Sequence, residues 1–126
     1  MAKREKSGLT KLELQLMQVI WRRGASTVGE VQEGLTQELA YTTVQTMLNI
    51  LERKGKLKRQ MEGRAYVYSA VVSEAKASHH AVRDLIDRMF GGSSEELVMS
   101  LIKSKEIDAK TVAELTKRLA DEGEGA

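Results

Sequence analysis

The chain has 126 residues, enough for one domain or for a small domain with an appendage. It contains no cysteine, which excludes disulfides and thiolate metal sites, and no apolar run approaches the roughly 20 residues that span a bilayer. Its net charge of +2 is uneven, because residues 1–70 carry 12 Lys and Arg against 7 Asp and Glu, and residues 71–126 carry 8 against 11. With no apolar signal peptide at the start, these features predict a cytoplasmic protein with a cationic half suited to a polyanion and no membrane insertion.

Two helices are predicted before residue 40. Each begins at a threonine followed three residues later by glutamate, the pattern of a capping box, at Thr10 and at Thr27. The first helix is expected to end near Gly24 and the second near Glu38.

The third predicted helix, residues 42–54, has two different faces. Apolar side chains recur at the i, i+3, i+4, i+7 spacing of a buried stripe, which comprises Val44, Met47, Leu48 and Leu51. The opposite face carries short hydrogen-bonding side chains and a final cation, the residue types that reach base edges and phosphates in a major groove. These residues are Thr42, Gln45, Thr46, Asn49 and Arg53. A solvated helix face is the alternative interpretation, and Tyr41 can either support the turn or touch a phosphate.

A basic β-hairpin is predicted next. Residues 57–61 and 65–70 have strand character, and the glycine between them suits the turn. The cations Lys58, Arg59 and Arg64 discourage strand association at an edge or lie along a phosphate backbone. We predict phosphate contact for Arg64 at the tip and for whichever of Lys58 and Arg59 alternates outward. The order helix, turn, helix, ribbon predicts a winged helix-turn-helix that binds DNA. The early cations Lys3, Arg4 and Lys6 form a solubilising tail or an arm that contacts DNA.

Three further helices are predicted after residue 72, capped at Ser73, Ser93 and Asp108, with a Gly-Gly break after Phe90. Their narrow apolar stripes and single aromatic residue make a poor core for so short a segment. We therefore predict a homodimer held by residues 74–120, reading half-sites about 34 Å apart or a multiple of that. The predicted dimerisation residues are His79, Val82, Leu85, Ile86, Met89, Phe90, Leu97, Leu101, Val112, Leu115 and Leu119.

The predicted architecture is mainly α: a winged helix-turn-helix with a small β-hairpin wing, residues 1–72, and a C-terminal three-helix dimerisation region, residues 73–126. No Gly-rich phosphate loop, nucleophile elbow or His-x-x-x-His pair is present, so we predict no enzymatic activity and no cofactor. His79 and His80 are helix neighbours that point about 100° apart, so no metal site is predicted.

Several stretches resemble the penicillinase-repressor family of bacterial regulators (BlaI/MecI/CopY type). They are residues 12–21 (LELQLMQVIW), 41–48 (YTTVQTML), 51–55 (LERKG), 66–68 (YVY) and the Phe90-Gly91-Gly92 break before Leu97-Val98. The resemblance implies a homodimeric repressor on dyad operators, commonly with TACA/TGTA-like half-sites, that controls resistance or stress genes. The competing hypothesis is a winged helix that binds a partner protein and leaves its recognition helix unused.

The resemblance also assigns residues. Recognition-helix contacts fall on Ala40, Thr42, Thr43, Gln45 and Thr46, with Ala40 beside Tyr41 at the phosphate backbone. Family members often carry Arg in place of Gln45, and Gln prefers adenine whereas Arg prefers guanine. Copper-responsive members carry a cysteine cluster that this chain lacks. Antibiotic-responsive members are cleaved by a membrane sensor-protease, and the corresponding bond here is Ser100-Leu101. The inducing signal, operator and regulated genes stay open.

Overall fold

The computed structural model describes residues 8–125, which are mainly helical with one small antiparallel sheet. The described helices are α1 (Lys11–Arg23), α2 (Val28–Gly34), α3 (Tyr41–Arg53), α4 (Glu74–Met89), α5 (Ser94–Lys103) and α6 (Ala109–Gly125). The strands are β1 (Ser26–Thr27), β2 (Leu57–Glu62) and β3 (Ala65–Ala70), in the order β1-β3-β2. The predicted winged helix-turn-helix followed by three helices is confirmed. The predicted N-terminal arm, Lys3, Arg4 and Lys6, lies outside the described residues.

The predicted helix starts are confirmed by their hydrogen bonds. At α1, the Glu13 backbone N–H donates to Thr10 Oγ1 at 3.1 Å, and the Thr10 N–H donates to the Glu13 carboxylate at 2.8 Å. Thr27 and Glu30 repeat this reciprocal pair at α2, at 3.2 and 2.8 Å. Both boxes satisfy backbone donors that have no partner inside the helix.

The prediction that the second helix continues to Glu38 was wrong, because α2 ends at Gly34. Leu35 is already extended, with φ −79° and ψ 146°. Both Leu35 and Leu39 pack against the core, and an extended connection lets the two side chains reach it. A Cβ on Gly34 would lie 2.6 Å from Val19 Cγ1, so glycine permits α2 to approach α1 closely.

One hydrophobic core joins the first three helices to the sheet. Its buried members are Leu16, Met17, Val19, Ile20, Val28, Val31, Val44, Leu48, Leu51, Leu57 and Tyr68. The short strand β1, which was not predicted, pairs Ser26 with Tyr68 on β3. The Trp21 indole Nε1 donates to the Val72 carbonyl oxygen at 2.9 Å, which joins α1 to the chain just after β3.

The chain divides into two compact units within α4, after Ala81. The first unit holds the core described above. Among the described residues from Val82 onward, Ile86 is the only buried apolar side chain. The domain boundary predicted after residue 72 stays a prediction. Within residues 8–125, no helix combines the length and apolar character needed to cross a membrane.

Candidate nucleic-acid interface

The buried stripe of α3 determines which side of the helix faces outward. Val44, Leu48 and Leu51 are fully buried, so the opposite side of the helix is exposed. The exposed polar side chains are Thr42, Thr43, Gln45 and Thr46. Met47, expected in the buried stripe, is half-buried and lines a shallow depression of about 250 Å³ with the three threonines. The face predicted to read bases is therefore open to a ligand, and its base contacts stay predictions.

The N-terminus of α3 carries no side-chain cap. Ala40 is the N-cap residue, and a methyl group offers no hydrogen-bond acceptor to the first backbone N–H groups of the helix. Tyr41 follows with 51% of its surface exposed, which suits contact with an outside molecule better than support of the turn. At the other end of the helix, Arg53 is exposed. The backbone N–H groups at the start of α3 and the Arg53 side chain at its end can thus face an anion.

The hairpin that follows α3 is in register over its whole length. Leu57 pairs with Ala70 and Glu62 with Ala65, and Gly63 makes the turn with a positive φ of 62°. Arg64 lies at this turn and is exposed. The hairpin is the wing of the fold, and its tip presents a cation.

Strand alternation decides which of the two wing cations, Lys58 or Arg59, points outward. Arg59 pairs with Tyr68 and shares the sheet face of the buried Leu57. Lys58 lies on the opposite face, paired with Ser69. Lys58 is therefore the residue that alternates outward, whereas Arg59 faces the side on which α3 packs.

A polar cluster joins α3 to the wing. Asn49 Oδ1 accepts a hydrogen bond from the Tyr68 hydroxyl at 2.7 Å and another from Arg59 Nη1 at 3.3 Å. The Arg59 guanidinium also lies over the Tyr66 ring, 4.4 Å from its centroid. The neighbouring Tyr68 hydroxyl is the main cause that raises the pKa of Arg59 above its ordinary value. This cluster, Asn49, Arg59, Tyr66 and Tyr68, is called the helix-wing cluster below.

The sequence analysis did not predict the helix-wing cluster, although one of its residue pairs could have been predicted. A turn that pairs Glu62 with Ala65 places Arg59 opposite Tyr68, so the register alone predicts that cross-strand pair. The link to Asn49 depends on how α3 packs against β2, which no local pattern encodes.

Comparisons with known proteins identify the family of this chain. The family model described as "Penicillinase repressor" matches residues 9–121. The chain belongs to the penicillinase-repressor family. A penicillinase repressor of Bacillus licheniformis is 26% identical over 115 residues, which cover 90% of each protein. The penicillinase repressor of Staphylococcus aureus is 24% identical, over 90% of this chain and 91% of that protein. The resemblance inferred from the motifs is confirmed.

A solved structure matches about half of this family member. The DNA-binding domain of the repressor BlaI, determined in solution, is 35% identical, with a TM-score of 0.50. The match covers 55% of this chain and 87% of that domain.

The predicted dimerisation residues of this penicillinase-repressor relative are mostly at the surface of the single chain. Ile86 is buried; Phe90, Leu97 and Val112 are half-buried. The exposed residues are His79, Val82, Leu85, Met89, Leu101, Leu115 and Leu119. Met89 and Leu119 are unusually exposed for apolar side chains, at 70% and 68%. The role of these residues in dimerisation stays a prediction.

The Ser100-Leu101 bond, which the sequence analysis predicts as a cleavage site, lies inside a helix. Ser100 and Leu101 belong to α5, and Ser100 lines an open groove of about 620 Å³ with Phe90 and Met99.

His79 and His80 have ring centroids 6.4 Å apart. Among residues 8–125, no group of three metal-binding side chains comes together.

Proposed function

We propose that this chain is a DNA-binding transcriptional repressor that acts as a homodimer on dyad operators and uses no catalytic chemistry. One observation carries the proposal: in a member of the penicillinase-repressor family, the exposed polar face of α3 lies next to a cationic wing. Relatives named penicillinase repressors align over 90% of the chain. Resistance or stress genes are the expected targets.

Base reading would come from the exposed face of α3 in the major groove. Gln45 has both a donor and an acceptor at the end of its side chain, which matches the N6 and N7 edge of adenine. The depression between Thr43, Thr46 and Met47 offers methyl groups, which suit the methyl group of thymine. These residue types favour A·T base pairs within the half-site.

Phosphate binding would come from cations around that face. Arg64 at the wing tip and Arg53 at the end of α3 are exposed, and Lys58 lies on the outer face of the wing. Ala40 and Tyr41 would add the uncapped backbone N–H groups of α3 and a hydroxyl. Such contacts position the protein without selecting sequence.

Dimerisation would cover the apolar residues from α4 onward. A unit in which Ile86 is the only buried apolar side chain from Val82 onward among the described residues has little core of its own. Packing the same residues of a second copy against them would bury Met89 and Leu119 and build a shared core. Two wings related by a twofold axis would then match a DNA dyad.

A sensor-protease that releases the protein from DNA would cleave the Ser100-Leu101 bond. Because this bond is helical within α5, that turn would have to unfold before a protease could bind it as an extended chain.

The test is a titration of DNA binding against salt, followed by selection of bound sites from genomic fragments. A repressor should bind random duplex with a log K that falls steeply with log salt, and should enrich a sequence with a dyad. Weak, salt-insensitive binding without enrichment would favour the alternative, a winged helix that binds a protein. Sedimentation of the full chain at micromolar concentration tests the dimer, and a monomer there would contradict it.

A further inference from the structure

The helix-wing cluster places a charged guanidinium at the junction between α3 and the wing. Asn49 lies on the polar side of α3, four residues before Arg53, and it is half-buried. Its amide oxygen holds two donors from the wing, the Tyr68 hydroxyl and Arg59 Nη1. A residue that sequence analysis placed among the base readers is therefore engaged by the protein itself.

The chemistry of the partners fixes the orientation of the Asn49 amide. A guanidinium only donates hydrogen bonds, so the atom that faces Arg59 has to be the oxygen. Recognition of adenine by asparagine needs both the amide oxygen and the amide nitrogen, aimed at N6 and N7. With its oxygen turned toward Arg59 and Tyr68, Asn49 cannot make that bidentate contact unless the cluster breaks.

The same contacts restrict Arg59. A free arginine side chain samples many rotamers, and fixing it when DNA binds costs conformational entropy. Here the Asn49 oxygen holds one end of the guanidinium, and the Tyr66 ring supports its face at 4.4 Å. Tyr68, 1% exposed, anchors Asn49 from the core side. Among the described residues, Asn49 accepts one hydrogen bond from the guanidinium, whose other N–H groups can donate to an anion.

From this geometry we infer that Asn49 is a positioning residue, which together with Tyr66 and Tyr68 holds Arg59 ready for a DNA phosphate between the recognition helix and the wing. The inference rests on the proposed function and deepens it, because it assigns Asn49 to the backbone contact and removes it from base reading. Arg59 touches the phosphate, and Asn49 acts through Arg59.

A double-mutant cycle tests this assignment. The probes are the duplex that the wild-type protein selects from a random library and a scrambled duplex of equal length. Asn49→Ala should weaken binding to both duplexes about 2- to 10-fold, the range expected for one long side chain that loses its preorganisation. In an Arg59→Gln background, the same Asn49→Ala change should have no further effect on affinity.

Lys58→Gln is the matched control. It removes one wing cation next to Arg59 in sequence, but Lys58 lies on the opposite face of the hairpin. Asn49→Ala should therefore lower affinity as much in the Lys58→Gln background as in the wild type. Tyr68→Phe is a second variant that tests the cluster while leaving Asn49 and Arg59 in place. Tyr68 is 1% exposed and cannot touch DNA itself. The loss of its hydroxyl should therefore weaken DNA binding only when Arg59 is present. Thermal unfolding of each variant confirms that it is folded at the assay temperature.

The outcomes separate the two levels of the hypothesis. A loss that persists in the Arg59→Gln background would mean that Asn49 does not act through Arg59, and a changed preference at one base position in Asn49→Ala would mean that Asn49 reads a base. Either result would overturn the inference. If the wild-type protein itself binds neither duplex, the proposed function fails first, and the inference falls with it. A loss confined to the Arg59-containing backgrounds, with unchanged base preference, supports the inference.

Discussion

Glu13 and Lys54 form an ion pair that joins the start of α1 to the end of α3. The Lys54 ammonium lies 2.9 Å from each oxygen of the Glu13 carboxylate. Only 4% of the Glu13 side chain and 17% of the Lys54 side chain are exposed. Glu13 also belongs to the capping box of α1, so one carboxylate orders a helix terminus and holds α3 against the first helix.

Replacing Lys54 should destabilise the first unit. Lys54→Met leaves the Glu13 carboxylate buried without its cation, and removal of one partner of a buried pair costs about 3 kcal/mol of unfolding free energy. Urea denaturation measures this difference. The exposed Lys58→Met is the control and should change the unfolding free energy by less than about 0.5 kcal/mol. The double variant Glu13→Gln/Lys54→Met should be more stable than Lys54→Met alone, and equal stability would argue against the ion pair.

The stability of the fold should fall in acid. Burial raises the pKa of Glu13, but hydrogen bonds from Lys54 and Thr10, with the Lys54 charge, together outweigh it and lower the pKa below the ordinary 4.5. The backbone hydrogen bond from Thr27 is the main cause that lowers the pKa of Glu30. A carboxyl whose pKa is lowered by folding stabilises the folded state above its unfolded pKa. That contribution is lost as the pH falls through the folded pKa.

Unfolding free energies measured from about pH 7 down to about pH 3 should therefore decrease below the ordinary glutamate pKa. Glu13→Gln keeps a side chain that can complete the capping box but removes the titrating group, so its stability should depend less steeply on pH. The exposed Glu33→Gln, in the same unit, is the control. A stability that rises on acidification, or a Glu13→Gln profile parallel to the wild type, would contradict this assignment.

The sequence predicted what local chemistry determines. Both capping boxes, at Thr10 and Thr27, needed only a residue and its neighbour three positions later. The exposed side of α3 followed from the spacing of its apolar residues, and the wing followed from alternation around Gly63. Each of these signals operates within one element, and the family motifs reinforced their order.

The sequence did not predict features that depend on packing between elements. The end of α2 is set by the burial of Leu35 and by close approach of Gly34 to Val19, neither of which has a local pattern. Asn49 is a residue type that can read bases, yet its hydrogen-bond partners are residues 10 and 19 positions away. The partner of Lys54 is 41 positions away. These relationships appear only when the helices and sheet are assembled.

Two glycines of α2 should respond oppositely to alanine. A Cβ on Gly34 would lie 2.6 Å from Val19 Cγ1, a stiff, buried β-branched side chain, so Gly34→Ala should lower the unfolding free energy by about 1–3 kcal/mol. Gly29 has no atom within 4 Å of the position of a Cβ, and Gly29→Ala should raise the unfolding free energy by up to about 1 kcal/mol. Urea denaturation distinguishes the two. Equal effects would mean that the contact with Val19 does not limit α2.

Gln45 should select one base. Gln45→Ala should reduce discrimination at a single position of the half-site by about 1–3 kcal/mol, because a bidentate contact to adenine is lost. Gln45→Arg should shift the preference at that position toward guanine. Competition binding with duplexes that vary one base at a time measures both effects. Gln18→Ala, an exposed substitution on α1, should leave the preferences unchanged. A Gln45→Ala variant that loses affinity equally for every duplex would contradict base reading.

Arg64 should bind DNA without selecting its sequence. The side chain is exposed at the tip of the wing, directly after the Gly63 turn, where it can follow the phosphate backbone beside the major groove. Arg64→Gln should weaken binding to all duplexes alike and reduce the slope of log K against log salt by about one, because one phosphate contact and its released counterion are lost. Lys110→Gln removes the same charge from α6 and should leave the slope unchanged. If Arg64→Gln instead alters base preference while the salt slope stays constant, the wing tip reads sequence and the division of roles between α3 and the wing is wrong.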